Sequence, residues 1–340
     1  AGEKEGTYAI TPAGEADQGN YTVTYCPGTL TITAQSIVPE DPSYRGIQID
    51  DPSDHEYDAQ EHKWKPTVTD KEGNELTEGT DYTVSYDTDN FVDVKTIKVT
   101  ITGKGNYSGT VTKTYRITPA PVKVTAANKS KTFGDKDPEL TADVTGLYGK
   151  DTVEYTLSRE SGENVGTYTI TASGEADQGN YTVNYYPGKL TITKKETLTV
   201  TGTPYEGIYD GNDHGSVASA SVTEGTTISY KVGEEDWTTT APTIREVGSK
   251  SVKVKAENPN YETAEAEYTL IVSPKQVTVT AENKSKVYGD EDPELTAMES
   301  GLLGKDKVTY TLSRAAGEKE GTYAITPAGE ADQGNYTVTY

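Results

Sequence analysis

Repetition restricts this chain more than any other feature. Its first 25 residues, AGEKEGTYAITPAGEADQGNYTVTY, return unchanged as Ala316 to Tyr340, a long period of 315 residues. Inside that period, VTAANKSKTFGDKDPELTADVTGLYGKDTVEYTLSR from Val124 returns from Val279 as VTAENKSKVYGDEDPELTAMESGLLGKDKVTYTLSR, an offset of 155. Two shorter markers recur more often. An Asn-Tyr pair stands at Asn20-Tyr21, Asn106-Tyr107, Asn180-Tyr181, Asn260-Tyr261 and Asn335-Tyr336, with spacings of 86, 74, 80 and 75 residues. An aromatic followed by Gly or Asp stands at Tyr57, Phe133, Tyr209 and Tyr288. Both markers count four modules per long period, the signature of an array of small units and not of one large core.

Pro-bearing joints, ITPAPVKV near Pro119 and IVSPKQVTV near Pro274, mark boundaries. Residues 1–34 read as the tail of a module, 35–119, 120–194 and 195–274 as complete modules, and 275–340 as a module without its last strand. In 120–194 that strand is PGKLTIT, Pro187 to Thr193; the matching PGTLTIT lies at Pro27 to Thr33.

The local pattern has period two, as in Val122, Val124 and Ala126 against Lys123 and Thr125, or Ala264, Ala266, Tyr268, Leu270 and Val272 against Glu265, Glu267 and Thr269. Alternation of this kind makes half-buried strands. Composition agrees: only 32% of residues are hydrophobic, and the aromatics are 25 Tyr against two Phe and two Trp. Thr and Tyr suit a pleated surface, Thr through its branched Cβ and Tyr through a broad ring with a wet end. Turn signals such as EGT, GKGN, DQGN and NPN between the strands predict antiparallel meanders and Greek keys. Only DPELTADVTGL from Asp137 and DPELTAMESGL from Asp292 read as short helices, opened by Asp-Pro and closed by Gly. The fold class expected is therefore all-β: a tandem array of four small modules, Ig-like sandwich or β-grasp-like. Strands of roughly 25 Å would make an elongated rod on the order of 120 to 160 Å.

In the Asn-Tyr pair, Asn is expected to take the left-handed turn position while Tyr anchors the next strand and returns its hydroxyl to backbone. Asn20, Asn106, Asn180, Asn335, Asn128 and Asn283 also spell N-x-S/T, but a turn calls for the same residues.

The formal net charge of −23 repels phosphate backbones, and no basic patch offsets it, so nucleic acid is not an expected partner. The single cysteine, Cys26, can form no disulfide within the chain and no structural zinc site. It replaces Tyr186 of the sister module, a tolerated substitution, with a disulfide to a neighbouring chain as the minor reading. No stretch approaches the roughly 18 apolar residues of a membrane span, and no signal peptide is visible.

At these residues the chain resembles known modules. VYGDEDPEL, GLLGKD, the GTYAIT or GTYTIT strand and the closing NYTVTY…PGTLTIT are similar to MBG domains (YGX type) of bacterial surface proteins. The two remaining modules, with HEYDAQEHKWKPTVTD and GIYDGNDHGSVASA, resemble Ig-like modules of large extracellular proteins of Gram-positive anaerobes. The resemblance implies an extracellular, surface-attached or secreted, non-enzymatic stalk. It also implies that Lys113, on the apolar side of VTKTYRI with Val111, Tyr115 and Ile117, is a candidate for an isopeptide cross-link to Asn or Asp. Snorkelling of its long side chain is the plainer reading.

Nothing in the residues points to catalysis. His55, His62 and His214 form no Ser-His-Asp or His-x-x-x-His arrangement, and ITGKGNYSG sits in a hairpin where a phosphate loop needs a strand and a helix. No cofactor is expected, with calcium as the one candidate. Hard oxygens cluster in IDDPSDHEYD, in YDTDNFVD (Asp87, Asp89, Asn90, Asp93) and in GDEDPE, though none follows the EF-hand loop. Solvated acidic loops are the simpler account.

The expected function is a spacer whose partners are flanking repeats or neighbouring copies. Two alternatives stand beside it. Exposed Tyr and Thr on repeated faces could engage host glycans or mucin through avidity. Alternatively, residues 27–33 could complete residues 275–340 of another molecule, making head-to-tail filaments. The duplicated 25 residues weigh against filaments, because they would compete with their own copy, and favour a window onto a longer continuous chain.

Overall fold

Branched and aromatic residues alternating with charged ones give strands one apolar and one wet face, and the backbone follows that pattern throughout. A computed structural model describes residues 3–340, and every regular element among them is a strand. The chain divides into two compact units: Ala1–Lys129 with Glu139–Glu160 and Tyr168–Leu190, and Ser130–Pro138 with Ser161–Thr167 and Thr191–Tyr340. The division runs through segment 120–194.

In the first unit, Gly6–Ile10 pairs antiparallel with Gly28–Ile32 and no further strand joins them. Segment 35–119 has a sheet ordered His55–Glu56, Thr110–Thr118, Lys95–Gly103, Tyr82–Tyr86. Its register sets Ile97 opposite Tyr115 and Val99 opposite Lys113. Ile97, Val99, Ile101, Tyr115 and Ile117 are buried together with Phe91 and Tyr57. The next sheet is ordered Ala142–Thr145, Ala120–Ala126, Tyr181–Tyr186, Asp177–Gln178, burying Ala120, Val122, Val124, Ala126, Tyr181 and Val183.

In the second unit, Gly248–Asn258 and Tyr261–Ser273 form a long hairpin with a bulge at Ala256/Asn258, flanked by Tyr205–Ile208 and Thr227–Val232. Val252, Val254, Ala256, Leu270 and Val272 are its core. Segment 275–340 repeats the second sheet of the first unit: Ala297–Ser300, Lys275–Ala281, Tyr336–Thr339, Asp332–Gln333. Val277, Val279, Tyr336 and Val338 are buried in it.

Two sequence expectations need correction. The short helices after Asp137 and Asp292 do not form. Ala142–Thr145 and Ala297–Ser300 are strands, paired antiparallel with Lys123 to Ala126 and with Thr278 to Ala281. An open sheet edge offering four ladder positions outweighs the helix signal of Asp-Pro and Gly, and the branched Val144 and Thr145 favour the extended form. Gly146 and Gly301, read as helix stops, instead hold φ of 99° and 100° at the turn after each strand. A Cβ on either would overlap the carbonyl oxygen of Pro121 or Gln276.

The sheets are also not purely antiparallel. Each segment's opening strand pairs parallel with the residues that follow its Asn-Tyr pair: Gln35–Ser36 with Tyr107–Ser108, Ala120–Ala126 with Tyr181–Tyr186, Lys195 with Tyr261 by a single bridge, and Lys275–Ala281 with Tyr336–Thr339. Turn residues predict only local connections, whereas this pairing joins strands about a whole module apart.

Gly146→Ala is expected to cost about 2 kcal/mol, from a left-handed backbone combined with a steric overlap. Gly149→Ala, also left-handed but with nothing within 4 Å of an added Cβ, is expected to cost less. Urea unfolding of both variants checks the ranking.

Candidate functional site

The Asn-Tyr pairs, read as turns, form the joints between successive segments. In the first unit Gly179 turns the chain at φ 69° and presents Asn180 at the start of Tyr181–Tyr186. The Asn180 main-chain carbonyl accepts from the N–H of Ala120 at 3.0 Å, tying it to its own opening strand. Its side chain reaches the preceding segment. Oδ1 accepts from the N–H of Val94 at 2.9 Å, and Nδ2 donates to Asp93 Oδ1 at 2.8 Å.

One residue on, the Tyr181 hydroxyl donates to Asp151 Oδ2 at 2.6 Å and accepts from the N–H of Tyr148 at 3.0 Å. Tyr57 of the preceding segment donates to the same carboxylate oxygen at 3.0 Å. The rings of Tyr57 and Tyr181 meet edge to face, 5.3 Å apart at 82°. Burial, reinforced by the hydrogen bond to Asp151, pushes the Tyr181 hydroxyl up to about 12, and the same two causes raise that of Tyr57. Asn106 makes a simpler joint: its carbonyl accepts from Gln35 N–H at 2.9 Å and its Oδ1 from Glu5 N–H at 3.0 Å.

The second unit repeats the device twice. Asn260 accepts from Lys195 N–H through its carbonyl at 3.1 Å and from Val165 N–H through Oδ1 at 2.8 Å, and its Nδ2 donates to Asn164 Oδ1 at 3.0 Å. Phe133 and Tyr261 pack edge to face at 5.5 Å. Asn335 accepts from Lys275 N–H at 3.0 Å and from Val247 N–H at 2.9 Å, and donates to the Glu246 carboxylate. Tyr336 donates to Asp306 Oδ2 at 2.6 Å and accepts from Leu303 N–H at 3.1 Å, while Tyr209 reaches the same oxygen at 3.4 Å. The rings of Tyr209 and Tyr336 are 5.5 Å apart at 83°, and burial with the Asp306 hydrogen bond pushes Tyr336 up to about 12. The aromatic marker is thus the other half of each joint.

This corrects the role expected of Asn. Among the described residues only Ala59 combines a side chain with positive φ. The left-handed positions before Asn20, Asn106, Asn180 and Asn335 belong to Gly19, Gly105, Gly179 and Gly334, which lack the Cβ that penalises that conformation. Asn is there for its amide, which offers an acceptor and a donor together. That also accounts for the N-x-S/T triplets at Asn106, Asn180 and Asn335, whose side chains are held in joints, and at Asn128, whose Oδ1 accepts from Lys189 N–H at 2.9 Å. Tyr21 is 76% exposed.

The candidate calcium residues are not gathered as ligands. Asp87 Oδ1 accepts from Lys98 N–H, Asn90 Oδ1 caps the N–H groups of Val92 and Asp93, Asn90 Nδ2 donates to Asp93 Oδ2 at 2.6 Å, and Asp89 is exposed. Among the described residues no group of three or more His, Cys, Asp or Glu is placed to hold a metal ion. In GDEDPE, Asp292 is held by cations, with Arg314 Nε and Lys286 Nζ both at 2.7 Å. The Arg314 hydrogen bond is the larger cause that brings its carboxyl down to about 2. Lys131 sits between Asp137 at 2.7 Å and Glu163 at 2.5 Å in the sister segment.

Lys113 lies opposite Val99 with its ammonium on the exposed Asp51 carboxylate, and Cys26 is exposed. His62 and His214 are half-buried, each on the aspartate four residues before it, Asp58 at 2.8 Å and Asp210 at 2.7 Å. His55 stacks on His62 at 4.3 Å and Tyr205 on His214 at 4.4 Å, so these rings brace loops.

Sequence reasoning missed the receiving halves of the joints: Asp93-Val94, Asn164-Val165, Glu246-Val247, and the carboxylates Asp151 and Asp306. A signal was present in Asn-Val-Gly at 164–166 and Glu-Val-Gly at 246–248, a polar acceptor just before the donating N–H. Another was the shared Gly-Lys-Asp at 149–151 and 304–306.

Residues 122–191 and 277–340, less than half of the chain, match the family described as MBG domain (YGX type). No curated protein matches the chain. Among solved structures, protocadherin gamma B7 extracellular cadherin domains 1–4 align at 9% identity over 72% of this chain and 82% of that one, with a TM-score of 0.28. Drosophila N-cadherin EC1–4 aligns at 10% over 77% and 87%, TM-score 0.21, and the titin I-band fragment I67–I69 at 13% over 67% and 98%, TM-score 0.25. Similarities this low transfer none of those proteins' properties to this chain.

Asn180→Ala leaves the Val94 N–H and Asp93 without their partner and is expected to cost about 1–3 kcal/mol in chemical unfolding. A second expectation concerns alkali. A tyrosine that ionises near 10 when unfolded and near 12 when folded keeps the folded state protonated longer. Stability contributed by Tyr181 and Tyr336 is therefore complete below pH 10 and declines as pH rises from 10 through 12. Ultraviolet titration should show a late-ionising tyrosine class that shrinks in Tyr181→Phe.

Proposed function

We propose that this chain is a non-enzymatic spacer region of a secreted or surface-attached bacterial protein, in which small β segments joined in series hold another part of the protein away from the cell. One observation carries the reading: the same Asn side-chain clip ties each segment to the one before it at Asn106, Asn180, Asn260 and Asn335. A chain whose recurrent residues serve its own joints is organised around connection. Among the described residues no helix is long and apolar enough to cross a membrane, so attachment is assigned to other parts of the protein.

The glycan-binding alternative needs repeated aromatics facing solvent. The tyrosines that recur at module period, Tyr57, Tyr181, Tyr209 and Tyr336, are instead buried at joints. Exposed rings such as Tyr8, Tyr148, Tyr186 and Trp237 follow no common position. This favours the spacer reading, in which the net charge of −23 keeps neighbouring molecules apart.

The test combines a glycan and mucin array with thermal melts in millimolar calcium and in chelator. The spacer reading expects no specific array signal and superimposable melts, because its joints use amides and carboxylate-tyrosine bonds. A saturable glycan signal would overturn it, and a calcium-dependent melt would show that its joints need metal.

A further inference from the structure

In segment 120–194 the strand Gly188–Thr193 lies between Lys129–Thr132 and Gly166–Ser173 in a sheet edged by Thr156–Arg159. Leu190 and Ile192 on it are fully buried. Three features seat this strand. Asn128 Oδ1 accepts from Lys189 N–H at 2.9 Å, the Thr193 carbonyl accepts from Phe133 N–H at 2.9 Å, and Gly188 lies so close to Ala126 that a Cβ would overlap its carbonyl oxygen.

In segment 275–340 the corresponding place is a cleft of about 790 Å³. One wall holds Ala281, Asn283, Lys286 and Tyr288, the counterparts of Ala126, Asn128, Lys131 and Phe133; the other is Gly321 to Ile325. Residues 282–287 and 321–324 have no ladder partner, although their counterparts in 120–194 are strands. Val287 and Tyr288 are 71% and 79% exposed.

A strand of the required sequence exists at the other end of the chain. Pro27 to Thr33, PGTLTIT, differs from Pro187 to Thr193 only in Thr29 for Lys189, and its Gly28–Ile32 pairs with Gly6–Ile10 alone. Leu30 is 46% exposed there, against 0% for Leu190.

We propose that the cleft between residues 281–288 and 317–325 is a strand acceptor, and that its occupant is Pro27 to Thr33 of a second copy. The donor strand leaves Gly6–Ile10, and the acceptor's Gly321 to Ile325, identical in sequence, takes that neighbour's place. It exchanges one paired edge for two, with Thr29 N–H on Asn283, the Thr33 carbonyl on Tyr288 N–H, and Leu30 and Ile32 entering the core as Leu190 and Ile192 do. Competition from Gly6–Ile10, tethered at high local concentration, makes assembly concentration-dependent. This inference goes beyond the spacer reading and stands or falls separately from it.

Gly28→Ala is the decisive variant. In the free chain the nearest atom to the added Cβ is Ile10 Cβ at 4.0 Å, an ordinary contact. In the cleft it would overlap the Ala281 carbonyl, as the Gly188 position shows. Light scattering on the 340-residue chain from about 1 to 200 µM, at roughly 0.15 M salt, should give a molar mass rising above 36.6 kDa. Gly28→Ala should need at least about tenfold more protein while melting as the parent does. A peptide of residues 27–34 should hold the parent at monomer mass where a scrambled peptide does not. A parent that stays monomeric throughout, or a Gly28→Ala variant that assembles like it, overturns the proposal.

Discussion

The structure depends on one side-chain amide used repeatedly. An asparagine just after a turn accepts through its main-chain carbonyl from its own opening strand, and through Oδ1 from an N–H of the preceding segment. Both are backbone donors at the rim of small sheets, where an unpaired N–H excluded from water is costly. A lysine or serine could not satisfy the same geometry: Asn pairs a carbonyl and an amide nitrogen at fixed separation, and the nitrogen finds Asp93, Asn164 or Glu246. The joint is thus specified by hydrogen-bond direction and needs little apolar area, which suits a chain that is only 32% hydrophobic.

Tyrosine adds packing to that clip. Tyr57 with Tyr181, and Tyr209 with Tyr336, put two hydroxyls on one carboxylate oxygen while their rings meet edge to face. Phenylalanine could supply the ring but not the bond to Asp151 or Asp306. Phe133 occurs at the joint made by Tyr261, where contact is ring to ring. The surplus of tyrosine over phenylalanine follows from this double duty.

Much of this was legible in the sequence. Period-two alternation located Ala120–Ala126, Lys95–Gly103 and Tyr261–Ser273, because a strand with one buried face leaves a direct trace in hydrophobicity. The Asn-Tyr positions were legible as markers, but their work was not. A turn and a joint call for the same residues, and only coordinates show that Gly179 bends the backbone while Asn180 reaches Val94. The parallel pairing of opening strands was hidden because it joins residues such as Ala120 and Tyr181 across a whole segment. Ala142–Thr145 was misread because its partner edge, and not its own propensity, decides its state. The acidic turn at Asp87 to Asp93 carried a metal-like spacing, yet Asp93 serves the joint.

Native-state hydrogen exchange at Val94, Val165 and Val247 tests the central claim most directly. Each N–H donates only to an asparagine side chain of the following segment in this account, so each should be protected to the level of neighbouring sheet amides and lose that protection when its asparagine becomes alanine. Exchange at unprotected rates in the parent chain, or protection indifferent to the substitution, would contradict the clip and the joint built on it.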